Sequence, residues 1–120
     1  RKHTISFKHA LEGIIYTLKT QPNFQIHIIA AIIAISLAFI FSISAAEWAV
    51  ILFVIALVLV AEMINTSIES VVDLLTDKYH ISAKIAKDVS AGMVLVTAVV
   101  AIITGVLIFL PYISKVIDNI

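Results

Sequence analysis

Three long apolar blocks run along this chain, separated by short polar segments, and an amphipathic segment precedes them. This pattern predicts four helices. The blocks cover residues 24–41, 48–75 and 83–110, and none alternates as a half-buried strand would. Ahead of them, residues 1–21 mix lysines with apolar residues at helical spacing, a pattern typical of an amphipathic helix on a membrane surface. A positively charged flank of the first span is the plainer alternative. We predict an all-α membrane protein with a surface helix and three transmembrane helices.

Local signals predict where these helices begin and end. Pro22 should separate the surface helix from the first span, because proline lacks a backbone donor and restricts the residue before it. Glu47 should lie in the first turn of the second span, where an acid suits the helix dipole. Ser82 is expected to cap the third span, and Pro111 is expected to stop it.

Composition agrees with a single membrane domain over residues 1–120. The chain is 62% hydrophobic and 13% charged, with a mean hydropathy of +1.13. Soluble domains are about half apolar and about one quarter charged. The formal net charge is zero, which gives no indication of a nucleic-acid partner, and the absence of cysteine excludes disulfides and thiolate chemistry.

Basic residues predict the orientation of the spans. No Lys or Arg lies between Lys19 and Lys78, whereas the N-terminal segment and the 76–88 segment are both basic. The positive-inside rule therefore places the N-terminus and the second connection in the cytoplasm. Three spans then place the C-terminus outside.

Polar residues in the second span form one stripe at its end. Glu62, Asn65, Glu69 and Asp73 fall within roughly 80° of each other on a helix with about 100° per residue. Carboxylates at this depth should face protein, a cavity or a cation, because exposure to lipid is costly. With Lys87 nearby in sequence, the stripe is compatible with a metal–phosphate site. Phosphoryl transfer, proton or ion transport, and structural contacts between helices all remain open on these residues alone.

The segment from Glu62 to Asp73 resembles the E-x-x-N-x-x-I-E-x-x-x-D signature of the prokaryotic membrane diacylglycerol kinases. Three further matches lie downstream at the family's spacing: 79–80, 86–88 and 90–92. Two more segments are most similar to the Gram-positive branch, whose members are chiefly undecaprenol kinases: 23–27 and 44–48. The resemblance covers nearly the whole chain.

The resemblance implies a homotrimer in a bacterial cell membrane, with active sites formed between subunits at the cytoplasmic face. Such an enzyme transfers phosphate from Mg-ATP to the hydroxyl of a membrane lipid, here undecaprenol or diacylglycerol. It implies that Glu62 is the general base, that Glu69 holds the metal and nucleotide, and that Asn65 steadies the phosphates. The other nucleotide contacts that it implies are Lys78, Tyr79, His80, Lys87, Asp88 and, on the surface helix, His9.

The chain departs from the family pattern at Gln21, where a glutamate usually serves as a second metal ligand. A neutral amide is a poorer magnesium ligand than a carboxylate. Glu12, Asp73 or water could complete the site, metal binding could be weaker, or the chain could be an inactive relative. A small transporter that uses the same carboxylates is the remaining alternative.

Overall fold

The computed structural model describes residues 6–120, and four helices account for most of them. They are α1 (Ser6–Thr20), α2 (Pro22–Ile40), α3 (Ala45–Leu75) and α4 (Ile81–Asp118). The predicted surface helix began at residue 1, so its first five positions lie outside the described residues. The prediction of an all-α membrane protein is confirmed, since α2, α3 and α4 are each long and apolar enough to cross a bilayer.

The boundary between α1 and α2 follows from one proline. Gln21 has an extended backbone with φ −109° and ψ 105°, and Pro22 is the first residue of the next helix. Proline suits this position because its fixed φ is helical and the first backbone N–H of a helix has no partner within the helix. Pro22 therefore separates the two helices by starting α2.

A capping box starts α3. The Ser44 side chain accepts a hydrogen bond from the backbone N–H of Glu47, and the Glu47 carboxylate accepts one from the backbone N–H of Ser44 at 2.9 Å. These reciprocal bonds satisfy two backbone donors that a helix start leaves free. Glu47 lies in the first turn, as its position in the sequence predicted.

The start of α4 differs from the prediction that Ser82 caps it. The cap is His80, whose ring nitrogen Nδ1 accepts the backbone N–H of Ser82 at 3.2 Å. An imidazole nitrogen can serve here because an N-cap needs only a hydrogen-bond acceptor within reach of the first free N–H groups. The helix consequently begins before Ser82, at Ile81.

The prediction that Pro111 ends the last helix is wrong, because α4 continues through it to Asp118. Packing on both sides of the proline accounts for the continuation. Phe109 lies in the buried core, and the Tyr112 ring stacks on Phe41 with ring centroids 5.7 Å apart. A membrane helix tolerates proline where neighbouring helices support the chain.

A hydrogen-bonded clasp joins α4 to the start of α3 at the same end of the bundle. The Tyr112 hydroxyl donates to the Glu47 carboxylate at 2.5 Å, and that carboxylate also accepts the Ser44 backbone N–H. Ala38, Ile43 and Ile51 are buried around this end, with Trp48 packed against them. The opposite end of the bundle, where α3 stops and α4 starts, holds the polar residues.

We predict that Tyr112→Phe lowers the thermal stability of the protein in detergent. The substitution removes the hydroxyl while keeping the ring that stacks on Phe41, so only the bond to Glu47 is lost. The melting temperature should fall by a few degrees. Tyr16→Phe is the matched control, because the Tyr16 ring is 54% exposed. Equal melting temperatures for the two variants would contradict the stabilising role of the clasp.

Candidate functional site

A buried polar group joins α3 to α4 in the half of the bundle opposite the clasp. Asn65 is 8% exposed and Ser90 is 1% exposed, and the Ser90 hydroxyl donates to the Asn65 side-chain oxygen at 2.7 Å. This bond fixes the direction in which the Asn65 amide faces. Ser90 was predicted only as part of the 90–92 match, and a serine within an apolar span was the one available signal for this role.

Glu62 lies beside this group and is the most enclosed acid of the described chain. It is 1% exposed, and its Oε2 atom has no hydrogen-bond partner within residues 6–120. Such atoms are rare in native proteins because leaving a buried acceptor unsatisfied costs free energy. An unsatisfied carboxyl oxygen in a closed site is suited to receive a proton from a bound molecule.

His27 of α2 lies within electrostatic range of Glu62 and is half-buried. It was not among the predicted site residues. Its position as the one titratable side chain of the predicted first span was the available signal. Glu62 therefore lies near His27 of α2 and Asn65 of α3, and Ser90 of α4 holds the Asn65 amide.

An apolar groove of about 170 Å³ lies between α2, α3 and α4. Val58 and Leu59 line it one helical turn from Glu62, and Phe109 lines it as well. Small residues keep the groove open: Ala30, Ala31, Ala34, Ala101 and Gly105. His27 is its polar member, so the groove combines an apolar wall with a position close to the buried acid.

A second cavity of about 330 Å³, which we call the loop cleft, lies where α3 ends and α4 begins. It brings together five of the predicted nucleotide-binding residues: Lys78, Tyr79, His80, Lys87 and Asp88. Asp73, Asp77 and Lys84 complete its charged lining. Lysines at the mouth of a polar cavity are suited to bind phosphate groups.

Two ion pairs organise the charges of the loop cleft. The Lys87 ammonium lies 2.7 Å from the Asp73 carboxylate and so connects α4 to α3. Lys84 and Asp88 pair at 2.5 Å along one face of α4. Asp73 belonged to the predicted acidic stripe, whereas Lys84 was not predicted as a site residue. The spacing of Lys84 and Asp88, four residues apart on a helix, was the signal for their pair.

Glu69 lies on the stripe between the buried group and the loop cleft. Its side chain is half-buried, forms no hydrogen bond or ion pair with another described residue, and lies within electrostatic range of Glu62 and Lys87. Within residues 6–120, no three His, Cys, Asp or Glu side chains come together in one chain as a metal site. Magnesium bound to a nucleotide needs only one or two protein carboxylates, since phosphates and water supply the other ligands. Glu69 fits that more limited role.

The structure does not bring His9 and Gln21 into the loop cleft. His9 is exposed on α1, where its ring pairs with Glu12 at 3.1 Å. Gln21 is the N-cap of α2, and its amide donates to the Thr20 hydroxyl at 3.3 Å. The nucleotide-binding role predicted for His9 and the metal-binding role considered for Gln21 therefore remain predictions.

Comparison with known proteins identifies the family. Residues 8–109 match the family model described as prokaryotic diacylglycerol kinase. The chain is 47% identical over 106 residues to the undecaprenol kinase of Bacillus subtilis, covering 88% of this chain and 86% of that protein. It is 42% identical over 108 residues to a diacylglycerol kinase of Synechocystis, covering 89% of this chain and 62% of that protein.

A more distant relative is the diacylglycerol kinase of Escherichia coli, with 32% identity over 76 residues, 63% of this chain and 62% of that protein. The higher identity to the Bacillus subtilis protein agrees with the predicted resemblance to the Gram-positive branch. The family match extends through α2 and α3 and includes the acidic stripe, both cavities and most of α4. The chain therefore belongs to the prokaryotic diacylglycerol kinase family of membrane lipid kinases.

Proposed function

We propose that this protein transfers the γ-phosphoryl group of ATP to the hydroxyl of a membrane lipid, and that undecaprenol is its preferred acceptor. The observation that carries the proposal is the unsatisfied carboxyl oxygen of Glu62, buried on the same helix whose end borders a lysine-lined cleft. The family supplies the reaction class, and the similarity to an undecaprenol kinase supports the acceptor.

Glu62 acts as the general base. Its Oε2 atom removes the proton of the lipid hydroxyl as the hydroxyl oxygen forms a bond to the γ-phosphorus. The bond between that phosphorus and the bridging oxygen of ADP breaks, so the products are a lipid phosphate and ADP. Burial suits Glu62 to this step, because the excluded water can neither compete for the proton nor accept the phosphoryl group.

The loop cleft binds the nucleotide. Lys87 and Lys78 contact the phosphates, Tyr79 and His80 flank the base, and Asp88 orients Lys84 through their ion pair. Asn65, oriented by Ser90, steadies the phosphates from the side of the buried group. His9 of α1 is a further proposed nucleotide contact.

Glu69 would hold the magnesium ion that accompanies the nucleotide. When bound, the metal neutralises charge on the phosphates and draws electrons from the phosphorus that is attacked. The position of Glu69, between the proposed base and Lys87, supports this role. Gln21 contributes at most a neutral ligand, so most of the remaining coordination comes from phosphate and water.

The lipid chain lies in the apolar groove, which passes one helical turn from Glu62. An acceptor seated there presents its hydroxyl to the buried acid without leaving the membrane. The enzyme works as a homotrimer whose subunits share their active sites. Its N-terminus and loop cleft face the cytoplasm, and its C-terminus lies on the outer side of the cell membrane.

The direct test of this function is a panel of lipid acceptors. Purified protein in mixed micelles is supplied with radiolabelled ATP, magnesium and either undecaprenol, diacylglycerol or a lipid without a free hydroxyl. We expect labelled lipid phosphate from both alcohols, with a higher kcat/KM for undecaprenol, and none from the third lipid. Absence of labelled product from every alcohol would contradict the function, and a higher kcat/KM for diacylglycerol would contradict the acceptor.

We predict that Glu62→Gln reduces kcat by at least about 100-fold, because the amide cannot accept the proton of the hydroxyl. Nucleotide binding and the oligomer should be retained, since glutamine has nearly the same shape. Glu47→Gln is the matched control, since it makes the same change about 22 Å away along α3 and away from the cleft. The assay is run well below the melting temperature of both variants. Full turnover by Glu62→Gln would refute the assignment of the base.

We also predict that Gln21→Glu lowers the magnesium concentration needed for half-maximal activity severalfold, because it restores a carboxylate where the family usually has one. A magnesium titration at fixed ATP measures this change. Gln25→Glu is the control, since it adds the same charge one turn further along α2, on a side chain that bonds the Leu18 carbonyl. A similar magnesium shift in both variants would show that the charge acts without coordinating the metal.

A further inference from the structure

The described lining of the loop cleft contains equal numbers of positive and negative side chains. The lysines are Lys78, Lys84 and Lys87, and the aspartates are Asp73, Asp77 and Asp88. The charges of these six side chains cancel. A triphosphate, which carries several negative charges, gains little from such a cleft as a whole. Binding of the triphosphate therefore depends on which lysine can contact it and on which aspartate must first give up its ion pair with that lysine.

Lys87 forms a solvent-exposed ion pair with an acid of the neighbouring helix. Its pair with Asp73 joins α4 to α3 at 2.7 Å, yet the Lys87 side chain is 42% exposed and the Asp73 side chain 65% exposed. Exposed ion pairs are weak because water and salt screen them. A phosphate group can therefore displace Asp73, whereas the apolar contacts and the buried Ser90–Asn65 bond keep α3 and α4 packed.

We propose that Asp73 is a specificity-determining residue that favours the magnesium complex of the nucleotide over the metal-free nucleotide by competing for Lys87. This inference rests on the proposed function, since it concerns nucleotide binding in the loop cleft. When a metal-free triphosphate binds Lys87, the ion pair between Lys87 and Asp73 breaks. The unpaired Asp73 carboxylate then repels the triphosphate. The magnesium complex carries two fewer negative charges, and the water molecules on the metal can donate hydrogen bonds to the released carboxylate.

Equilibrium binding of ATP tests this competition. The dissociation constant is measured in excess EDTA and in excess magnesium for the wild-type protein and for Asp73→Asn. The variant should bind metal-free ATP about three- to fivefold more tightly, because Lys87 is no longer paired. Its affinity for the magnesium complex should change by less than about twofold, since the carboxylate that it loses also interacts with the hydrated metal.

Asp77→Asn is the matched control. It removes the same charge from the same cleft, but Asp77 forms no hydrogen bond or ion pair with another residue of the described chain. Its effect is restricted to long-range charge, so metal-free ATP should bind less than about twofold more tightly. A double-mutant cycle adds the second control. In a Lys87→Ala background, Asp73→Asn should change the preference for the magnesium complex no more than Asp77→Asn does, because only a long-range charge is left to remove.

The outcomes separate this inference from the function on which it rests. Wild-type protein that binds neither form of ATP would refute the proposed function. Wild-type protein that binds ATP, together with equal effects of Asp73→Asn and Asp77→Asn, would refute only the role of Asp73. The role of Asp73 would also be refuted if Asp73→Asn changed the affinity for metal-free ATP as much in the Lys87→Ala background as it does in the wild-type protein. An Asp73→Asn protein that fails to fold would also refute it, because the pair would then be structural.

Discussion

A carboxyl group enclosed by membrane-spanning helices is the constraint on which the rest of this structure depends. Glu62 is 1% exposed, and an ionised carboxylate without solvent or a counter-charge is expensive to bury. Neighbouring helices must therefore supply polar groups, which here are His27 of α2 and Asn65 of α3, itself held by Ser90 of α4. At the other end, the clasp between Tyr112 and Glu47 joins α4 to α3. Polar contacts therefore join α3 to α4 in both halves of the bundle, and Glu62 lies on the stretch of α3 between them.

One helix connects the proposed chemistry of the lipid to that of the nucleotide. Glu62 is buried, whereas Asp73, eleven residues further along α3, is exposed in the loop cleft, about 16 Å away at 1.5 Å per residue. Because α3 is continuous, the distance between the base and the cleft does not depend on a flexible loop. Glu69 lies between them on the same stripe. A rigid helix that crosses from the apolar to the polar region can therefore align a substrate in the membrane with a substrate in water.

The sequence was sufficient for features that depend on periodicity and insufficient for those that depend on packing. Continuous apolar blocks predicted the helices, and angular spacing placed Glu62 with Asn65 and Glu69. The end of α4 was mispredicted because proline removes one local hydrogen bond, whereas Phe109 and Tyr112 pack on either side of it. The Lys87–Asp73 and Ser90–Asn65 contacts could not be predicted, since they require the rotation of α4 against α3 and the side-chain rotamers. Both contacts depend on the relative orientation of two helices, and the residue pattern along one helix does not specify that orientation.

The lining of the apolar groove bears on how such an enzyme selects its acceptor. Apart from His27, the groove is lined by Ala, Gly, Val, Ile, Leu and Phe. It therefore has few hydrogen-bonding groups with which to recognise a particular lipid. Apolar pockets discriminate by shape, and one methylene changes affinity by only about 1–3 kcal/mol. Under the proposed function, selection between a polyprenyl chain and two acyl chains must then come from the fit of the chain beside α2 and α4 and from the depth of its hydroxyl relative to Glu62. Under the proposed function, the choice of lipid alcohol therefore depends on the apolar lining of the groove, whereas the proposed transfer depends on Glu62 and Glu69.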